Sequence, residues 1–347
     1  MTKAELAKAS GVTSRSISNY EAGTHPPNED NLRALASALT FPVNFFAGED
    51  LPEPTADGVS FRAYSRMTAK QRDAALGAGA LALMLSRWID ARFNFPSVDV
   101  PDLRGFTPEA AAHALRAHWG RGERPIKNMI HLLEAHGVRV FSLTEPCAEL
   151  NAFSHWESVT PFVFLNTMKT AESSRYDAAH EIGHLTLHRH GAPHGRVAEH
   201  EADQFAAAFL MPRGSVLAAA PRYVTVDGIV KLKKAWNVSA IALAHRLRDL
   251  DLMTEWQYRT ICIELSKDGG RRMEIEGIEH ETSQLLSNVF DSLRSEGVSK
   301  RDVARDLSVT VDALDSLVFG LVIGAVPGRG EPVPAPSISQ RPQLRLV

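Results

Sequence analysis

Two histidines four residues apart constrain this chain more than any other feature. They lie in Asp177-Ala178-Ala179-His180-Glu181-Ile182-Gly183-His184-Leu185-Thr186-Leu187-His188, a His-Glu-x-x-His arrangement. On an α-helix, residues four apart stand one turn above each other on one face. His180 and His184 then offer two imidazoles to a single point, which is two of the three protein ligands of a catalytic Zn²⁺ site. Glu181 can lean over the open coordination position, where a carboxylate accepts a proton from an attacking water. Ala178, Ala179, Ile182, Leu185 and Leu187 suit a buried helix, and Gly183 leaves room for a metal or a neighbouring backbone. His188 extends the same face by one turn, either as an outer-sphere partner or as a charge near a helix end.

The competing reading is a core helix whose histidines pair with nearby carboxylates, so a third ligand decides between them. Residues 199–212 read as a second helix, with Phe205, Phe209 and Leu210 on its apolar face and Pro212 at its stop. Glu199 and Asp203 share a face, whereas Glu201 lies about 200° around the helix from Glu199. Glu199 is therefore the expected third ligand. Asp203 is the expected acceptor for the remaining N–H of a ligand histidine. Glu201 is the runner-up ligand.

The stretch 174–188, joined to 199–212, closely resembles the ImmA/IrrE-type metallopeptidases. The resemblance implies zinc held by the two histidines and the later glutamate, with the motif glutamate as catalytic base. In that family the glutamate stands three before the alanine of an Ala-x-x-Phe-Ala run, which matches Glu199 here. It further implies a zincin-like core, a gluzincin-like zinc metalloendopeptidase activity, and a protein substrate, often a repressor cleaved under stress.

A chain of 347 residues has room for two or three domains. A net charge of −3 argues against nucleic-acid binding by the whole surface, though not by one small reading head. The two cysteines, Cys147 and Cys262, are far apart and in no motif. They exclude a disulfide framework and fit a cytoplasmic protein. No apolar run is long enough to span a bilayer, and no signal peptide is read at the start.

Residues 2–46 carry dense helix signals. Ala4, Leu6 and Ala7 fall on a short helix, Gly11 permits a tight turn, and Thr13 is an N-cap for a second helix over 14–22 that buries Ile17. A third helix is expected over 31–39. Helix, glycine turn, helix is the helix-turn-helix arrangement. The strings ELAKASGVTSRSISNYEAG and NLRALASALTFPVNFF resemble the Cro/repressor-type (XRE) family. By that resemblance the second helix enters the major groove. Ser14, Arg15, Ser16 and Asn19 then face bases, Lys3 faces a phosphate or base edge, and the family's first helix is missing before Thr2.

Residues 49–58, with Pro52 and Pro54, read as a linker. A long helix is expected over 68–92, with Leu76, Leu83, Leu85 and Trp88 as buried candidates. Further helices are expected from Pro108 to Trp119 and over 125–136, the second with Gly137 as its C-terminal stop. Three short strands follow at 138–142, 151–154 and 162–165. An edge strand there can pair with an extended substrate. His155 and Trp156 fall at a strand end, where packing is the expected role and substrate contact the alternative. After Pro212 the chain turns helical again, with two more helix-turn-helix-like stretches. The first carries Lys231, Lys233, Lys234, Arg246 and Arg248, read as a solvated charged face. The second, at 299–320, is read as packing. The proline-rich end reads as disordered.

The expected fold is mainly α with a small β-sheet, in the α+β class. Expected boundaries are a helix-turn-helix at 1–50, a metallopeptidase domain at 51–220, a helical C-terminal domain at 221–325 and a tail at 326–347. The expected function is that of a cytoplasmic DNA-binding regulator carrying a zinc-dependent endopeptidase, with DNA and a protein substrate as partners and a homodimer admissible. The alternative is a transcription factor whose metal fold senses a ligand or metal without cutting. A third reading makes the head a protein-docking module. No residue is committed to the tetrahedral oxyanion; His155, Tyr223 and His194 are the residues considered.

Overall fold

The computed structural model describes residues 1–48, 68–143, 151–189, 195–267 and 274–322. The N-terminal helices are α1 (Lys3–Ser10), α2 (Ser14–Glu21) and α3 (Glu29–Leu39). Each starts at a side-chain cap. Thr2 forms a capping box with Glu5, Thr13 accepts from the Ser16 N–H, and Asn28 accepts from the Asn31 N–H. Gly11 ends α1 at φ 71°, a conformation that costs glycine little. Val12, Ile17 and Leu35 form a small core of their own. The expected linker at 49–58 lies outside the described residues, as do Cys147, His194 and the tail from 326.

The next helix, α4 (Ala69–Asp90), begins with a capping box between Thr68 and Gln71. Leu83 and Leu85 are buried, while Leu76 and Trp88 are half-buried. Helix α5 (Pro108–His118) has proline in its first turn, where the missing N–H costs nothing. Helix α6 spans only Met129–Ala135, with Asn128 as its cap, so it starts later than the expected 125. The carboxylate of Glu281 accepts from the N–H groups of Met129 and Ile130, a distant partner invisible in the local pattern. Gly137 follows at φ 79°, and a Cβ there would lie 2.6 Å from the Val98 Cα. Only glycine fits that close approach.

One mixed sheet follows, of β1 (Arg139–Ser142), β2 (Ala152–Glu157) and β3 (Thr160–Leu165), in the order β1-β3-β2. Strand β1 is parallel to β3, and β2 is antiparallel to it. Strand β2 runs longer than the expected 151–154, so His155 and Trp156 lie within it rather than at its end. Phe153 and Phe164 stack at 4.3 Å on one sheet face, and Ser154 and Trp156 point to the other, as strand alternation requires.

That second face packs on α7 (Ala171–Leu187), which in turn packs on α8 (Arg196–Leu210). Gly183 is where the two helices meet. A Cβ there would stand 3.0 Å from the Phe205 ring, so the space it leaves is filled by a side chain, not by a metal or backbone. Pro212 lies between α8 and α9 (Arg213–Ala219).

The C-terminal helices are α10 (Val226–Leu232), α11 (Ala240–Asp249), α12 (Glu255–Lys267), α13 (Gln284–Ser295), α14 (Lys300–Asp306) and α15 (Val311–Val318). Their apolar residues join the same buried cluster as the sheet, which runs from Ala75 to Leu321. The expected solvated basic face holds only in part: Lys231 and Lys234 are exposed and Arg248 is half-buried, but Lys233 and Arg246 are buried. Lys233 is buried against Glu172 and Glu274, and Arg246 is buried against Glu109 at 2.6 Å. Lys231 pairs with Asp227, Lys234 with Glu276 and Arg248 with Asp249. Each of these five cations is matched by a carboxylate: Lys233, Lys234 and Arg246 meet acids that the fold brings in from a distance, whereas Lys231 and Arg248 pair with acids four residues and one residue away. The architecture is thus mainly helical with one small sheet, the α+β class expected. Among the described residues, no helix is long and apolar enough to cross a membrane.

Candidate metal centre

Helix α7 starts at Thr170, whose hydroxyl caps the Ser173 N–H, and carries His180, Glu181 and His184. Helix α8 starts after Gly195, and Glu199 sits in its first turn. Packing of the two helices brings Glu199 beneath both imidazoles. His180 Nε2 and His184 Nε2 are 3.0 Å apart. The Glu199 carboxylate lies 3.6 Å from the first and 3.5 Å from the second. Ligands about 2.0–2.1 Å from a tetrahedral zinc stand roughly 3.3 Å from one another. The two imidazole nitrogens and the two Glu199 oxygens, Oε2 towards His180 and Oε1 towards His184, lie near that spacing, and the three residues together can hold a metal ion.

The outer nitrogens are also occupied. His180 Nδ1 is 2.9 Å from Asp203 Oδ1. His184 Nδ1 is 2.8 Å from His188 Nδ1, and His188 Nε2 is 2.9 Å from Glu201 Oε2. Glu201 therefore faces His188, while Glu199 faces the two Nε2 atoms.

Glu181 is buried, and its Oε2 accepts the Ser154 hydroxyl at 2.7 Å. Burial pushes its carboxyl up to about 7, against the lowering effect of His180 and Ser154. Burial alone would lower His180, but hydrogen bonds to Asp203 and Glu199 outweigh it and push its pKa up to about 10. Burial lowers the pKa of His184. Three carboxylates, Glu181, Glu199 and Asp203, thus surround two imidazoles. Such an excess of negative charge favours a dication.

Ser154 escaped sequence reasoning. Its signal was strand alternation, which only becomes useful once β2 is known to lie along α7. Two strand residues further on, the Trp156 indole N–H donates to the Leu185 carbonyl at 3.2 Å. Two strand steps cover about 6.6 Å and four helix steps about 6.0 Å, so strand and helix stay in register. His155 points to the opposite face. It is buried there, and burial lowers its pKa, so it packs in the sheet and does not face the cluster. Tyr223 is exposed.

A cavity of about 760 Å³ lies between α7, α8 and α11. Tyr176, Asp177, Asp203 and His245 are among its walls. It therefore touches the residue that holds His180.

In the N-terminal helices, Ser14 and Arg15 are exposed on α2. Ser16 and Asn19 are half-buried, and the Ser16 hydroxyl is 2.9 Å from that of Thr13. Lys3 is ion-paired with Glu21 across α1 and α2.

Residues 133–248 match the family model of the M78 peptidases, described as the IrrE N-terminal-like domain. Residues 1–46 match the model described as helix-turn-helix. No curated protein matches the chain.

Proposed function

We propose that this chain, which joins an N-terminal helix-turn-helix domain to an M78 peptidase domain, is a cytoplasmic DNA-binding regulator that cleaves a protein substrate, a transcriptional repressor, by zinc-dependent hydrolysis. The observation that carries this reading is the buried Glu181 beside the cluster of His180, His184 and Glu199. A sensor needs the ligands but has no use for a buried base.

His180, His184 and Glu199 would hold the zinc. Zinc bound there supplies Lewis acidity to a carbonyl and to a water. Glu181 takes a proton from the attacking water and returns it to the leaving amine, so the carboxylate ends the cycle as it began. Ser154 orients that carboxylate from the strand above. Among the described residues β2 is an edge strand. Its outer side offers backbone groups to an extended peptide, which positions the scissile bond along α7. On α2, Ser14, Arg15, Ser16 and Asn19 would read DNA, with Lys3 held by Glu21 at the rim.

The cavity against Asp203 favours one alternative, a regulator in which a bound ligand adjusts the metal centre without proteolysis. Co-expression with candidate repressors separates the two readings. Wild type should cut one of them and Glu181→Gln should not, with equal metal content in both. A repressor lost from DNA without being cut would favour the alternative.

A further inference from the structure

The two ligand histidines are braced in different ways. Asp203 meets His180 directly, whereas the Nδ1 of His184 meets the His188 ring, and Glu201 meets the far side of that ring. His188 is the residue that ends α7, and its backbone N–H still donates to the His184 carbonyl at 2.9 Å. Its side chain is 7% exposed, so the ring is fixed.

Two imidazole nitrogens facing each other at 2.8 Å share a single proton. With both rings neutral there are two arrangements. In the first, His184 Nδ1 donates to His188 Nδ1, and His188 Nε2–H donates to the Glu201 carboxylate. The Nε2 of His184 then presents its lone pair to the three-ligand point. In the second, His188 donates to His184, which puts the His184 proton on Nε2, where it blocks that point. The bare Nε2 of His188 would then oppose a carboxylate oxygen at 2.9 Å, acceptor against acceptor. Glu201 therefore selects the first arrangement.

We infer that Glu201 and His188 form a relay that fixes the tautomer and aim of His184, making Glu201 a positioning residue for zinc two rings away. The inference rests on the reading of His184 Nε2 as a ligand. It also gives a role to the second acid of α8, which helix geometry turns away from Glu199.

Zinc affinity of the full chain, measured by competition with a chelator, tests the relay. His188→Ala and Glu201→Ala should each weaken zinc binding about 10- to 100-fold. The double variant should be no weaker than His188→Ala alone, because Glu201 acts only through that ring. Glu201→Gln should also weaken binding, since an amide can serve either tautomer. Imidazole nitrogen–proton NMR spectra of the zinc-loaded protein should place the His188 proton on Nε2, a readout that survives if an alanine variant fails to fold. Wild-type affinity in Glu201→Ala, additive losses in the double variant, or an Nδ1–H tautomer of His188 would each overturn the relay. Glu199→Ala is the control for the underlying reading: if it keeps wild-type affinity, the ligand set itself is wrong, whatever the relay variants do.

Discussion

The Ser154 hydroxyl donates to Glu181 Oε2 at 2.7 Å, tying the strand over the metal helix to the carboxylate proposed as base. Glu181 lies next to His180 in sequence but is not one of the three groups, His180, His184 and Glu199, that could hold a metal ion. Glu181→Gln should keep zinc and fold and abolish cleavage. Metal content and peptide cleavage measured on one preparation check this, and zinc lost together with activity would contradict it. Ser154→Ala should lower kcat by roughly 10- to 100-fold through loss of one hydrogen bond to a charged group, of the order of 1.5–3 kcal/mol, and leave zinc affinity unchanged.

Glu199 and Asp203 stand one turn apart on α8 but should fail differently. Glu199→Ala removes a proposed ligand and should strip most of the zinc and all activity. Asp203→Ala removes only the brace on His180 and should weaken zinc about 10- to 100-fold. Chelator titration separates the two, and equal losses would argue against this division.

Glu134 supplies a pH dependence outside the metal centre. Its carboxyl accepts from the Ser283 hydroxyl and from the Leu285 N–H at 3.1 Å, and burial pushes it up to about 7 from the ordinary 4.5. Between those pH values the folded chain holds a proton that the unfolded chain has released. Its contribution is therefore greatest below about 4.5 and is lost as pH rises towards 7. Relative to Glu134→Gln, wild type should lose up to roughly 3 kcal/mol across that window. Denaturant unfolding at several pH values reads the difference, and parallel curves for the two proteins would refute it.

Lys233 is enclosed by Glu274 at 3.1 Å, Glu172 at 3.7 Å and the Glu276 carbonyl at 3.2 Å. Removing it leaves two buried carboxylates without their cation. Lys233→Ala should cost about 3–5 kcal/mol. Lys231→Ala, which breaks only the exposed pair with Asp227, should cost far less than Lys233→Ala. Thermal unfolding of both variants makes the comparison.

The sequence alone determined what depends on a fixed local period. A spacing of four from His180 to His184 puts two imidazoles on one helix face, and a spacing of two from Glu199 to Glu201 puts those acids on opposing sides. Caps at Thr2, Thr13 and Thr68 and the turn at Gly11 are likewise local, and the helices begin or end there. Tertiary structure decided the rest, because a hydrogen bond acts across space and carries no memory of sequence distance. Ser154 meets Glu181 across 27 residues, and Arg246 meets Glu109 across 137. Judged by its neighbours in sequence, Arg246 looks like part of a solvated face. Judged by its neighbours in space, it is a buried charge with a paired acid. His188 shows both halves of the division: helix period set it one turn beyond His184, and only the docking of α8 gave its far nitrogen Glu201 to face.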